Sequence, residues 1–201
     1  IQELSIEWSR VIDRSLRGSR AIDTEALCLV AGEKVWHLKV TMNVLDMDGN
    51  ILDCAHIAAI TALLHFRRPE VTIEGENVIV HSVSDREPVP LSVHHIPICV
   101  TFGFFERDRL IRLESRKKIV QKEDELVCVD PCLREELMMD GAMTVAVNGH
   151  GELCAIQKGG GLALRTSQIT KCAKIAAVKA QEVTALIKKA LSDDEAQRKL
   201  E

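Results

Sequence analysis

Leu4, Trp8, Val11, Ile12 and Leu16 recur at three- and four-residue intervals, so residues 3–18 are predicted as an amphipathic helix that Gly18 ends. Residues 26–31 and 34–45 read as strands around an Ala-Gly-Glu turn, because VWHLKVTMNVL alternates apolar and polar positions. After the Asp48-Gly49-Asn50 turn, Asp53 is placed to cap a second helix, CAHIAAITALLHF, ending near Arg68-Pro69. That helix is apolar on nearly every side, which predicts burial. VTIEG and NVIVHSV are short strands, REPVPL is a loop, and HHIPICVTFGFF is a long strand. Residues 106–125 are strongly charged and read as a protruding loop or extended hairpin. ELVCVD is a strand, and MTVAVNGHGELCAIQ is a hairpin about Asn-Gly-His-Gly, with the glycines at 159–161 breaking the pattern. Thr166 or Ser167 then caps a long helix carrying Ile169, Cys172, Ala173, Ala176, Ala180, Val183 and Ile187 on one side, and SDDEAQRKLE reads as a frayed tail. The order is neither a βαβ alternation nor a repeat, so an α+β fold is expected.

Composition changes this picture little. The chain has 201 residues, 46% hydrophobic and 28% charged, enough for one core or two small subdomains sharing one. A net charge of −4 supplies no overall basic field, so any nucleic-acid contact must be local. No run of about 18 apolar residues is present, and no membrane partner is expected. A chain opening IQELSIEW reads as cut. Seven cysteines at 28, 54, 99, 128, 132, 154 and 172 form no disulfide framework, and most sit in apolar runs, which implies reduced thiols in a nuclear or cytosolic protein. Cys128 and Cys132 match no common zinc spacing, and His94, His95 and Cys99 along one strand would point to opposite faces, so no metal and no cofactor are expected.

Three segments in order carry a resemblance: RVIDRSLRGSRAIDTEAL, LKVTMNVLDMDGNILDCAHIAAI and VDPCLREELMMDGAMTVAVNGHGELCAIQKGG. Together they resemble the arginine-bearing helix, the strand with its phosphate-binding turn and central helix, and the acidic segment with final hairpin of the RNase PH family. AIDTEALCLVAGEKVW, HFRRPEV and REPVPLSVHHIPICV resemble its non-catalytic branch, the ring subunits of the RNA exosome. The resemblance implies an RNase PH-like domain: a ribosomal protein S5 domain 2-like part at 1–93, a second PH subdomain at 94–191, and a charged tail at 192–201. It also implies that the family's first strands are missing ahead of this helix. The expected partners are other RNase PH-like subunits in a hetero-hexameric ring, S1/KH cap subunits, associated 3′-to-5′ nucleases and single-stranded RNA, in the nucleus, nucleolus and cytoplasm.

Active family members carry Gly-Thr-Arg in the turn, whose arginine holds inorganic phosphate. Here the turn reads Gly49, Asn50, Ile51, Leu52, with Leu52 taken to stand for the arginine and Asp53 beside it to repel phosphate. An apolar side chain cannot replace a charge-assisted, bidentate contact. The acids Asp130, Glu135, Glu136 and Asp140 do not reproduce the active spacing and read as surface carboxylates beside a strand, so no catalytic residue is assigned. The first helix carries Arg10, Arg14 and Arg17 on one face, with Arg20 just beyond. On the resemblance, Arg14 and Arg17 face the RNA path, backed by Arg10 and Arg20; the alternative is a solvated face with Glu3, Glu7 and Asp13 as salt partners. The basic run from Arg107 to Lys118 is a weaker candidate for RNA or a protein partner, and with 3% aromatics and no Tyr, base-stacking platforms are not expected. The expected function is a non-catalytic RNA-channel subunit. The competing readings are an active phosphate-dependent 3′-to-5′ exoribonuclease and an unrelated α+β interaction domain.

Overall fold

The structure, a computed structural model, describes residues 2–75, 77–105 and 126–199. The first helix, α1, runs Gln2–Asp13 and continues through a wider turn at Arg14–Gly18. A single helical turn at Glu25–Leu27 leads to a small antiparallel pair, β1 (Cys28–Val30) with β2 (Lys34–Val35). The predicted strand 34–45 stops there: residues 36–47 pair with no strand among the described residues. Period-two alternation fits an extended backbone, but a strand needs a neighbour to take its N–H and C=O groups.

Helix α2 spans Ile51–His65 and is capped by Asn50 in the left-handed conformation, not by Asp53, which lies in its first turn. Beyond it, β3 (Arg67–Arg68) pairs with β6 (Val89–Pro90), so the expected proline loop contributes a short strand. Between them, the two expected short strands, β4 (Val71–Glu74) and β5 (Asn77–Val80), pair antiparallel with each other. The main sheet has the order β10-β9-β7-β8 and is antiparallel throughout. Its strands are β7 (Pro97–Phe105), β8 (Leu126–Val129), β9 (Gly141–Asn148) and β10 (Leu153–Gly161). The glycines 159–161 do not end β10, which runs on to Gly161 opposite Gly141, but its register against β9 shifts between Lys158 and Gly161. His94 and His95 precede β7 rather than lying along it, because the strand starts at Pro97. The charged stretch 106–125 lies outside the described residues.

A short helix, α3 (Leu133–Met138), follows β8 in the acidic segment. The last helix, α4, runs Thr166–Arg198 from a cap at Arg165, so the tail expected to fray is helical as far as Arg198. Its charges sit three and four apart, and Asp194–Arg198 and Glu195–Lys199 pair along the helix.

Strand β7 is buried at every position, which explains its nearly continuous apolar sequence. Helix α2 packs on β7, and α4 packs on β7 and β9. One core joins Val11, Ile12 and Leu16 of α1 with Ile60 of α2, Phe102 of β7, Val145 of β9 and Ala176 of α4. The arginine helix is thereby fixed to the same core as the sheet, with its wet side set by which residues that core takes.

Candidate nucleic-acid interface and the closed turn

Asn50 organises the turn before α2. Its left-handed backbone (φ 43) suits Asn, whose short polar side chain tolerates that conformation. Its N–H donates to Glu136 Oε1 at 2.9 Å, and its Nδ2 donates to Asp53 Oδ2 at 2.8 Å and Asp130 Oδ1 at 2.6 Å. Asp53 also accepts from the Thr101 N–H at 2.7 Å and the Thr101 hydroxyl at 2.8 Å. Three carboxylates therefore converge on one side-chain amide and its backbone. Burial pushes the Asp53 carboxyl above its usual range; the bonds from Asn50 and Thr101 pull it down, and the charge on Asp130 raises it again.

The mouth of the turn is covered by the chain itself. Leu133 N–H donates to the Asp48 carbonyl at 2.9 Å. A Cβ on Gly49 would lie 2.5 Å from backbone atoms of Cys132 and Leu133. A phosphate approaching here would meet Asp53, Asp130 and Glu136 and find the Asn50 N–H already taken, the reverse of an anion-binding helix start.

The expectation of unconnected surface acids is therefore corrected for two of them. Asp130 and Glu136, 80 and 86 positions along the chain from Asn50, meet at it because β8 and α3 fold over the start of α2. Glu135 instead accepts from the Cys132 N–H at 2.8 Å and caps α3, and that bond draws its carboxyl below the usual range. Asp140 uses its backbone, donating to the Phe104 carbonyl at 2.9 Å. The placing of Leu52 also needs correction: counted from Gly49, the third position of Gly-Thr-Arg is Ile51, and Leu52 is buried in the core. Both residues are apolar, so neither side chain can hold a phosphate.

The arginines lie elsewhere. Val11, Ile12, Ser15 and Leu16 are buried, whereas Arg10, Arg14, Arg17 and Arg20 are exposed. Arg17 pairs with Asp13 at 2.8 Å, an exposed i,i+4 contact worth little. Arg14 donates to Gln157 of β10 at 3.5 Å, and Gln157 in turn donates to Glu7 at 3.3 Å. The helix is anchored from beneath by Ser15, whose hydroxyl lies 2.6 Å from His56 Nε2 and donates to the Ile12 carbonyl at 2.8 Å. Sequence reasoning missed Asn50, Thr101 and His56. A Gly-Asn pair before an apolar helix signals a left-handed cap, but Thr101 and His56 look like ordinary members of apolar runs.

The sequence profile of the 3′ exoribonuclease family, domain 1, matches residues 1–69, and that of domain 2 matches residues 95–179. The chain belongs to the 3′ exoribonuclease family. This bears out the RNase PH-like α+β fold. The chain is 47% identical over 197 residues to the exosome complex component RRP45 of Bos taurus, an alignment covering 98% of this chain and 41% of the relative. It thus spans about two fifths of that relative's length. A solved archaeal exosome core superposes with a TM-score of 0.70 at 28% identity, covering 93% of this chain and 64% of that one. The Archaeoglobus fulgidus exosome with RNA bound to its active site gives 0.63 at 26% identity, covering 90% and 60%. In this member of the 3′ exoribonuclease family, carboxylates and an amide fill the turn that opens α2.

Proposed function

We propose that this chain is a non-catalytic ring subunit of an RNA exosome of the RRP45 type, known in humans as the smaller polymyositis/scleroderma autoantigen. Its likeness to RRP45 over 98% of the chain supports the assembly, and the three carboxylates around Asn50 carry the lack of catalysis. On this reading it joins other RNase PH-like subunits in a hetero-hexamer, with S1/KH caps and 3′-to-5′ nucleases attached, in nucleus, nucleolus and cytoplasm. The halves 1–93 and 94–191 act as one body around a shared core. Single-stranded RNA runs past Arg14 and Arg17, with Arg10 and Arg20 behind them. Phosphate contacts of this kind accept any sequence and weaken with salt.

The test pairs two assays on the assembled protein. With single-stranded RNA and phosphate, this subunit releases no nucleoside diphosphate; release abolished by Asp130→Asn or Glu136→Gln would favour an active enzyme. Arg14→Glu with Arg17→Glu leaves assembly intact, weakens RNA binding and flattens its salt dependence by about one to two units of slope. Unchanged affinity and slope would make these arginines a solvated face.

A further inference from the structure

A cleft of about 390 Å³ opens where the end of α2 and β3 meet the last turns of α4. Ser192 lines it, together with Arg67 of β3 and with Lys188, Asp194, Glu195 and Arg198 of α4. Ser192 is exposed, and its hydroxyl makes no hydrogen bond to the protein among the described residues. Asp193, Asp194 and Glu195 follow it, and no other Ser or Thr in the sequence is followed by three acids. A hydroxyl that leads a run of carboxylates has the charge pattern read by acid-directed protein kinases, whose substrate grooves are basic.

The fold leaves this hydroxyl available. Leu191 is the last residue of α4 packed against the core, and none of Ser192 to Arg198 belongs to it. That end of the helix is held by Asp194–Arg198 at 2.9 Å, Glu195–Lys199 at 3.2 Å and the approach of Asp194 to His65 at 3.1 Å. Exposed pairs of this kind are worth little, so the last turns can open and enter an active site in extended form while the core stays intact. The cleft also supplies what a phosphate needs once it is there. Its two acids are already matched, Asp194 by Arg198 and Glu195 by Lys199. Its other two cations, Arg67 and Lys188, have no carboxylate partner among the described residues; Arg67 uses Nη1 on the carbonyls of Leu64, His65 and Phe66. Lys188 stands four residues before Ser192, one turn away on the same face of the helix. These two charges match the charge of about −1.5 to −2 on a phosphoserine. Asp193 does not line the cleft, so the nearest acid in sequence does not face them. We propose that Ser192 is a phosphorylation site for an acid-directed kinase, and that Arg67 and Lys188 clamp the phosphate and tie the end of α4 to the end of α2. In the transfer, Ser192 Oγ bonds to the terminal phosphorus of a nucleoside triphosphate as the bond to the nucleoside diphosphate breaks. The hydroxyl proton passes to the kinase's catalytic base, and nothing is oxidised or reduced. This site goes beyond the reading above and does not rest on it.

The test is phosphorylation of the protein in its purified assembly by casein kinase II and ATP, with the phosphate located by tandem mass spectrometry. A single phosphate on Ser192 is expected, and Ser192→Ala should abolish it. Asp193→Ala with Glu195→Ala should slow the transfer at least about tenfold, because the kinase groove loses carboxylates it reads. Phosphorus NMR then reports on the clamp. The phosphoserine should lose its second proton at lower pH in the folded protein than in the same protein in urea, because Arg67 and Lys188 favour the dianion. Lys188→Ala should remove part of that shift, and Arg67→Ala with Lys188→Ala should remove all of it while phosphorylation persists. No phosphate on Ser192, or transfer only after denaturation, would overturn the site. A titration that ignores the loss of Arg67 and Lys188 would overturn the clamp.

Discussion

His56 shows what one buried titratable side chain does to the molecule. It is fully buried on α2, bonded through Nε2 to Ser15, and its Nδ1 has no partner. Burial disfavours the imidazolium and lowers its pKa from 6.5 to about 4. Between those values the unfolded chain binds a proton that the folded one refuses, so the stability His56 supports is present above pH 6.5 and falls as the pH drops towards 4. The loss is about 3 kcal/mol at about 1.4 kcal/mol per unit. Denaturant melts at pH 7, 5.5 and 4.5 should show this slope in the wild type and a reduced one in His56→Gln; equal slopes would remove His56 as the cause. Gly49 is the second residue-scale case. Its φ is 94, and a Cβ would press into the backbone at Cys132 and Leu133. Gly49→Ala should therefore cost roughly 3 kcal/mol or more, combining left-handed strain with the clash. A melting temperature within a degree or two of wild type would contradict that.

At the scale of elements, the extended stretch 36–47 is the exception to the fold's economy. Val40, Met42, Val44, Leu45 and Met47 are all exposed along it, and together with Ala58 and Ala62 of α2 they line a groove of about 530 Å³. An extended segment that joins no sheet among the described residues and exposes apolar side chains is a template for another strand. Its amides should exchange with deuterium quickly in the isolated chain and slowly in the assembly. Equal, fast exchange in both states would show that no strand pairs there. By contrast, β7 is held on both sides, by β8 and β9, and its amides should be among the slowest in either state.

For the whole molecule, exposed apolar side chains extend well beyond that segment, to Ile79, Val80 and Val83, to Leu137, and to Val178 and Leu186 on α4. Exposed apolar area on this scale favours association. Sedimentation velocity on the isolated chain should show concentration-dependent oligomers, and Val44→Lys with Leu45→Lys should shift it towards monomer. A single sharp monomer at every concentration in the unmodified chain would count against a subunit whose surfaces are built for neighbours.

The amino-acid sequence by itself determined the elements whose cause is local. The three- and four-residue spacing of α1 and α4 and the long apolar run of β7 each report burial set by backbone geometry. It also determined that the turn lacks a phosphate-holding arginine, because that rests on residue identity alone. Only the tertiary structure decided the rest. Residues 36–47 alternate like a strand, yet pairing depends on a neighbour that periodicity cannot supply. The acids at 130 and 136 looked unrelated to the turn at Asn50 until β8 and α3 carried them across it. His95 and Thr184, 89 positions apart in the chain, line one cleft only because the segment before β7 and α4 are brought together. Local patterns record what each stretch needs to bury; which polar groups then meet is fixed by packing between stretches distant in the chain.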